Sequence, residues 1–196
     1  MEQRGAPFDP LAYGPVLAGL LREPRLNALG PGAPNEAARP ALEALTLERA
    51  FAPQTVGDPE MASACLAGLW LRHDFLDESH RMSQEIETTT GSYWHGLMHR
   101  REPDYANAKY WFRRVGDHAI FPAVRAAAAN LAAQTIADPP AQFLKTQSTW
   151  DPFAFIDLCE QVARGLSTAA ALCREIQARE WEILFDYCYR QAVGDG

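Results

Sequence analysis

The chain contains no apolar run of the roughly 18 residues that a membrane-crossing helix requires, and its first ten residues lack the basic-then-apolar order of an export signal. Its four cysteines, Cys65, Cys159, Cys173 and Cys188, form no C-x-x-C pair. They lie in apolar helical patterns and read as buried free thiols, which fits a cytoplasmic address. There is no G-x-S-x-G, no P-loop and no dinucleotide fingerprint. No stretch alternates with the period of a strand, and no segment repeats. These absences argue against a membrane protein, a disulfide scaffold and the common nucleotide-binding designs. A net charge of -7 over 196 residues argues against a nucleic-acid partner, which calls for a broad basic surface.

What is present reads as one all-α domain, a helical bundle spanning residues 1–196. Apolar residues make up 47% and charged residues 22%, ordinary values for a globular chain. Residues 1–40 carry seven of the fourteen prolines. They are expected to form an extended, proline-rich N-terminal arm with one short helix, packed on the body. Residues 36–51 are expected to be helical. Asp58 followed by Pro59 is a helix start, and the pattern predicts one long helix to about Thr88. Ser92 is placed to cap a second helix reaching Arg101. Pro103 to Val115 reads as a third, with arginines in its last turn and Gly116 beyond. Further helices fit 120–136, 152–164 and 167–192, with a loop over 137–151.

One region is dense in reactive groups. Residues 92–118 hold three of the five histidines and two of the five tryptophans. Arg100 to Arg114 carries five basic and two acidic side chains, a local charge of +3 that leaves -10 for the rest. The helix before it changes character along one face. Ala62, Leu66 and Leu69 are apolar, whereas His73, Leu76, Asp77, His80, Gln84 and Glu87 continue the same face with polar groups. Such a face either emerges into solvent or lines an internal polar cavity. His95 and His99 stand four apart, so both rings can address one point. With His80 and Asp77 opposite, they form a candidate set for a divalent metal of the zinc class. Without metal, His95, His99 or His118 is a candidate general base near neutral pH, with Glu87 beside them.

The basic and aromatic residues have two readings. Arg113 and Arg114 suit the C-terminal end of a helix dipole. Alternatively Arg100, Arg101, Lys109 and one of Arg113 and Arg114 converge on an anion, since a guanidinium matches carboxylate or phosphate bidentately. Tyr93, Trp94, Tyr110 and Trp111, with Asn107 nearby, offer flat faces beside polar groups, as a sugar or nucleotide-like ligand needs. The same rings also serve as core.

The runs Asp77-Glu78-Ser79-His80, Ser83-Gln84, Gly91-Ser92-Tyr93-Trp94-His95 and His99-Arg100-Arg101-Glu102-Pro103-Asp104-Tyr105, continuing as Asn107-Ala108-Lys109-Tyr110-Trp111-Phe112-Arg113-Arg114-Val115-Gly116, resemble a block in a family of uncharacterised bacterial and fungal proteins. Trp150-Asp151-Pro152-Phe153 and Glu180 to Cys188 resemble its C-terminal part. The resemblance locates a site and implies no activity, substrate or cofactor.

Three functions stand as expectations. The first is an internal pocket for a small anionic or sugar-like ligand, lined by His80, Gln84, Trp94, Arg100, Arg101, Asn107, Lys109, Trp111 and Arg114. As an enzyme it would run hydrolysis or isomerisation with histidine as base and arginine as charge stabiliser. The second is a metal-dependent enzyme built on His80, His95, His99 and Asp77. The third is an interaction module whose basic patch docks an acidic partner. No sequence feature sets an oligomeric state.

Overall fold

The computed structural model describes residues 8–135 and 138–194. Among these residues there are eleven α-helices and no strand. They are α1 (Gly14–Leu21), α2 (Arg39–Glu43), α3 (Leu47–Phe51), α4 (Pro59–Arg72), α5 (Leu76–Ser83), α6 (Thr89–Arg101), α7 (Tyr105–Val115), α8 (Phe121–Ala133), α9 (Phe143–Thr146), α10 (Pro152–Ala163) and α11 (Ala170–Val193). Short 3₁₀ turns cover Pro10–Tyr13 and Pro139–Ala141. None of the helices is long and apolar enough to cross a membrane.

Local chemistry accounts for many of the boundaries. Asp58 accepts hydrogen bonds from the Glu60 and Met61 amides, and Pro59 takes the first helical position where no donor is needed. Asp151 and Pro152 start α10 in the same manner, and Asp104 caps α7 by accepting from the Asn107 amide. Two expectations need correction here. The cap of α6 is Thr88, which accepts from the Gly91 amide, and Ser92 lies buried inside the helix. The helix expected over 36–51 is two short ones, because Thr46 adopts an extended backbone and restarts the chain as the cap of α3. Of the expected 120–136 helix, residue 136 lies outside the described residues.

The larger correction concerns the long helix from Pro59. It ends at Arg72, and α5 begins only at Leu76. Asp74 sits between them with φ 64°, a left-handed conformation unfavourable for most side chains but tolerated by aspartate. The break is held by the irregular segment 22–38. Asn27 and Arg25 reach the Asp74 carboxylate at 2.9 and 3.3 Å, and Arg101 reaches it from α6 at 2.5 Å. His73 lies between Asn35, 2.9 Å from Nδ1, and the Leu20 carbonyl, 3.1 Å from Nε2. That segment has no helix or strand to satisfy its own backbone. The carbonyls of Glu23, Leu26, Asn27, Ala28 and Gly30 instead accept from Arg72, Arg174, Gln177 and Arg101. The continuous face predicted through His73 to Glu87 therefore does not exist. The break reorients everything after it.

α6 and α11 form the middle of the bundle. α11 packs on α4, α8 and α10, and α6 packs on α4, α5 and α7. Every residue of α6 from Thr90 to Arg101 is buried, although the helix is polar in composition. Two glycines permit the close approach. A Cβ on Gly68 of α4 would stand 2.7 Å from the Trp94 ring, and one on Gly96 of α6 would stand 2.8 Å from Phe112 of α7. A polar helix buried on all sides must find partners on all sides, because a buried polar group without one costs free energy. The partners divide into two sets on opposite faces of α6, and each set forms a candidate site.

Candidate metal centre

The first face of α6 carries His95 and His99, one helical turn apart. His80 arrives from α5. The three rings cluster with centroids 4.6 Å (His80 and His95), 5.2 Å (His80 and His99) and 4.8 Å (His95 and His99) apart. One ring nitrogen from each lies within 4.8 Å of the others. His95 and His99 are buried and His80 is half-buried, so the cluster has one side toward solvent. Trp111 of α7 stacks on His95 at 3.8 Å with the planes 16° apart, and fixes that ring.

The protonation pattern can be worked out from the neighbours. His99 Nδ1 is 3.0 Å from Glu102 Oε2, so Nδ1 carries the proton and donates it to the carboxylate. Nε2 is left with its lone pair; the Asn107 amide nitrogen lies 3.1 Å from Nε2 and 3.4 Å from Nδ1, against the ring and off the Nε2 lone-pair axis. His95 Nδ1 is buried without a partner among the described residues. Burial, then the neighbouring His99 and His80, push the His95 imidazole down to about 3. Burial also holds His99 below its usual value, against the opposing pull of Glu102. Both rings are therefore neutral at pH 7, the form that donates a lone pair to a metal.

The donor set fits a borderline divalent ion. Three imidazoles with an open fourth direction are a known arrangement for catalytic zinc. A carboxylate behind one ligating histidine is the usual device for holding its tautomer and orientation, and Glu102 stands in that relation to His99. Zinc–nitrogen bonds of about 2.0–2.1 Å place tetrahedral ligand atoms roughly 3.4 Å apart. Binding such an ion would require the present spread of 4.8 Å to contract.

The other residues singled out from the sequence are distributed differently. Asp77, Gln84 and Glu87 are exposed, and Asp77 is not among the converging ligand atoms. They belonged to the unbroken helix and are corrected with it. Trp94 is core, wedged on Gly68, with its Nε1 donating to Cys188 Sγ at 3.4 Å. Lys109 pairs with Asp157 of α10, and Arg114 is exposed with its guanidinium 5.2 Å over the Trp111 ring. His118 contacts Thr90 Oγ1 at 3.1 Å and accepts from the Ile120 amide. Burial brings it down to about 4, and it acts as a neutral staple away from the cluster.

Arg100 and Arg101 point away from the histidines. Arg100 is fully buried and pairs with Glu180 of α11 at 2.6 Å, while Tyr93 donates to the same carboxylate at 2.9 Å. Arg101 pairs with Asp74. A single hollow shared by imidazoles and guanidiniums is therefore not what forms. Glu102 is the neighbour of the cluster that sequence reasoning missed. Its signal was present as the i, i+3 spacing from His99.

No protein-family profile, curated protein or solved structure matches the chain. The functional reading rests on the geometry.

Proposed function

We propose that the protein is a metal-dependent enzyme whose His80, His95 and His99 hold one borderline divalent ion, zinc first among them, and that it acts on a small polar substrate. One observation carries this reading: three imidazoles from two helices converge within 4.8 Å, with a carboxylate behind one of them. A bound ion of this class would polarise a substrate oxygen or lower the pKa of a bound water toward neutrality, which favours hydrolysis or hydration. The chain's own parts are then assigned. Glu102 sets the His99 tautomer. Trp111 clamps His95. Asn107 packs beside the His99 ring. His80, on the solvent side, closes the ligand set.

Elemental analysis of the purified protein, followed by titration of metal-stripped protein with Zn²⁺ and Co²⁺, tests the reading. We expect one ion per chain, a tetrahedral cobalt spectrum, and loss of both in His95→Ala and His99→Ala. Folded wild-type protein that takes up no stoichiometric zinc or cobalt overturns it.

A second reading is supported by the His99–Glu102 contact itself. A histidine oriented by a carboxylate is a general base without any metal, and would leave a pH-dependent activity that chelators do not touch. A docking patch built on Arg100 and Arg101 has no surface to present, since both are buried.

A further inference from the structure

The opposite face of α6 carries a second constellation. Between α4, α6, α11 and the segment 22–38 lies a small, partly open cavity lined by Arg25, Asn27, Arg72, Arg100, Arg101 and Gln177, with Leu97 and Trp181 also in its wall. It offers about 20 Å³ to the centre of a water-sized molecule. One water needs about 10–15 Å³, so the enclosed part holds one water-sized group, and a larger anion would reach it from the open side.

Charge is out of balance there. Four guanidiniums line the cavity, and their direct ion pairs draw on two carboxylates. Asp74 is shared by Arg25 and Arg101, and Glu180 is taken by Arg100. Among the described residues, no carboxylate lies within ion-pair distance of Arg72. It donates to the Glu23 carbonyl at 3.1 Å and lies 4.9 Å over the Trp181 ring. Glu182, itself paired with Arg179, attracts Arg72 from beyond ion-pair distance, and Arg25 is partly exposed, so the shortage of direct counter-charge falls on the buried Arg72. Burial holds Arg72 and Arg101 below the ordinary guanidinium value, as expected where counter-charge is short.

Hydrogen bonding is out of balance as well. Arg72 Nε, Arg100 Nε and Arg100 Nη1 are buried donors without an acceptor among the described residues, on side chains only 6% and 0% exposed. Gln177 Oε1 is a buried acceptor without a donor, its amide nitrogen being spent on the Ala28 carbonyl. Unpartnered buried groups are uncommon and costly, and here four of them belong to residues lining one cavity.

We propose that this cavity binds a phosphate group, either free or as a small monoester, with Arg72 and Arg100 supplying the donors and Gln177 accepting from a protonated phosphate oxygen. A phosphate near neutral pH brings close to two negative charges and several acceptor oxygens. Guanidinium forks match it bidentately. The Gln177 carbonyl adds selectivity, because hydrogenphosphate has a proton to donate and sulfate at neutral pH has none. The site is separate from the histidine cluster and is independent of whether a metal binds there.

Calorimetric titration with inorganic phosphate, and in parallel with sulfate and glycerol phosphate, tests the proposal. Chelator in the buffer removes any metal contribution. We expect saturable one-site binding of inorganic phosphate, about tenfold or more tighter than sulfate. Glycerol phosphate binding as well as inorganic phosphate would assign the natural ligand to the monoesters. Weaker binding of glycerol phosphate would assign it to the free ion. Arg72→Gln should weaken phosphate by about tenfold or more and leave zinc uptake unchanged. His99→Ala should do the reverse. Gln177→Leu should close the gap between phosphate and sulfate. Absence of saturable binding by wild-type protein up to about 10 mM phosphate overturns the proposal. So does equal binding by a folded Arg72→Gln variant. Should that variant not fold, an unchanged phosphate-to-sulfate ratio in Gln177→Leu overturns it instead.

Discussion

Replacing Glu180 by glutamine removes one charge and almost no volume. Arg100 is fully buried, and its ion-pair partner is Glu180, 2.6 Å from Nη2. Its Nε and Nη1 already lack acceptors among the described residues. The Phe155 ring, 4.8 Å from the guanidinium carbon, is a second favourable neighbour, and a ring face returns roughly 2 kcal/mol to a desolvated cation. Glu180→Gln keeps one hydrogen bond to Arg100 or Tyr93 but strands a buried cation. Breaking a buried pair from one side costs about 3–5 kcal/mol. For a chain of this length that corresponds to a fall in Tm of roughly 6–20 °C. Urea denaturation followed by circular dichroism reads the free energy, and a thermal scan reads the midpoint. The combined replacement of Arg100→Met, Glu180→Leu and Tyr93→Phe should recover most of the loss, since it removes both charges and the hydroxyl that donates to Glu180. Zinc uptake should be unchanged, because the histidines face the other side of α6. A loss under about 1 kcal/mol for Glu180→Gln would show that Arg100 is not held as a buried cation by Glu180, and the charge argument for the cavity would fail with it.

The same geometry sets other outcomes. Glu102→Gln should keep the fold and weaken zinc by about 10–100-fold, read by competition with a chromogenic chelator, because the His99 tautomer is no longer enforced. Metal-stripped protein should lose stability as the pH falls. His95 and His118 titrate at about 3 and about 4 when folded, against an unfolded value near 6.5, so above pH 6.5 both states hold them neutral. Between pH 6.5 and 4 the unfolded chain takes up protons that the folded chain refuses, and stability declines. His118 alone contributes roughly 2–3 kcal/mol of that decline, discounted for solvent access, and His118→Gln should flatten the urea-midpoint profile over this range. Gly96→Ala should cost roughly 1–3 kcal/mol in urea denaturation, because its methyl would stand 2.8 Å from the Phe112 ring.

Local grammar made the all-α architecture legible. Helix periodicity, the Asp58–Pro59 start, and the arginines and Gly116 closing α7 are decided within a few residues of chain. The i, i+4 spacing of His95 and His99 placed two rings on one face for the same reason, and α5 brings His80 against them. Three things depended on contacts that no local pattern encodes. Asp74 breaks the helix because Asn27 and Arg25 meet it from 47 and 49 residues away. That break turned Asp77, Gln84 and Glu87 to solvent and left His80 in the cluster. The arginines next to the histidines in sequence turned to the opposite face, because their carboxylates come from 27 and 80 residues away. Side-chain order along one helix fixes only which groups share a face. Burial decides which of those faces must find a partner, and burial is a property of the assembled bundle.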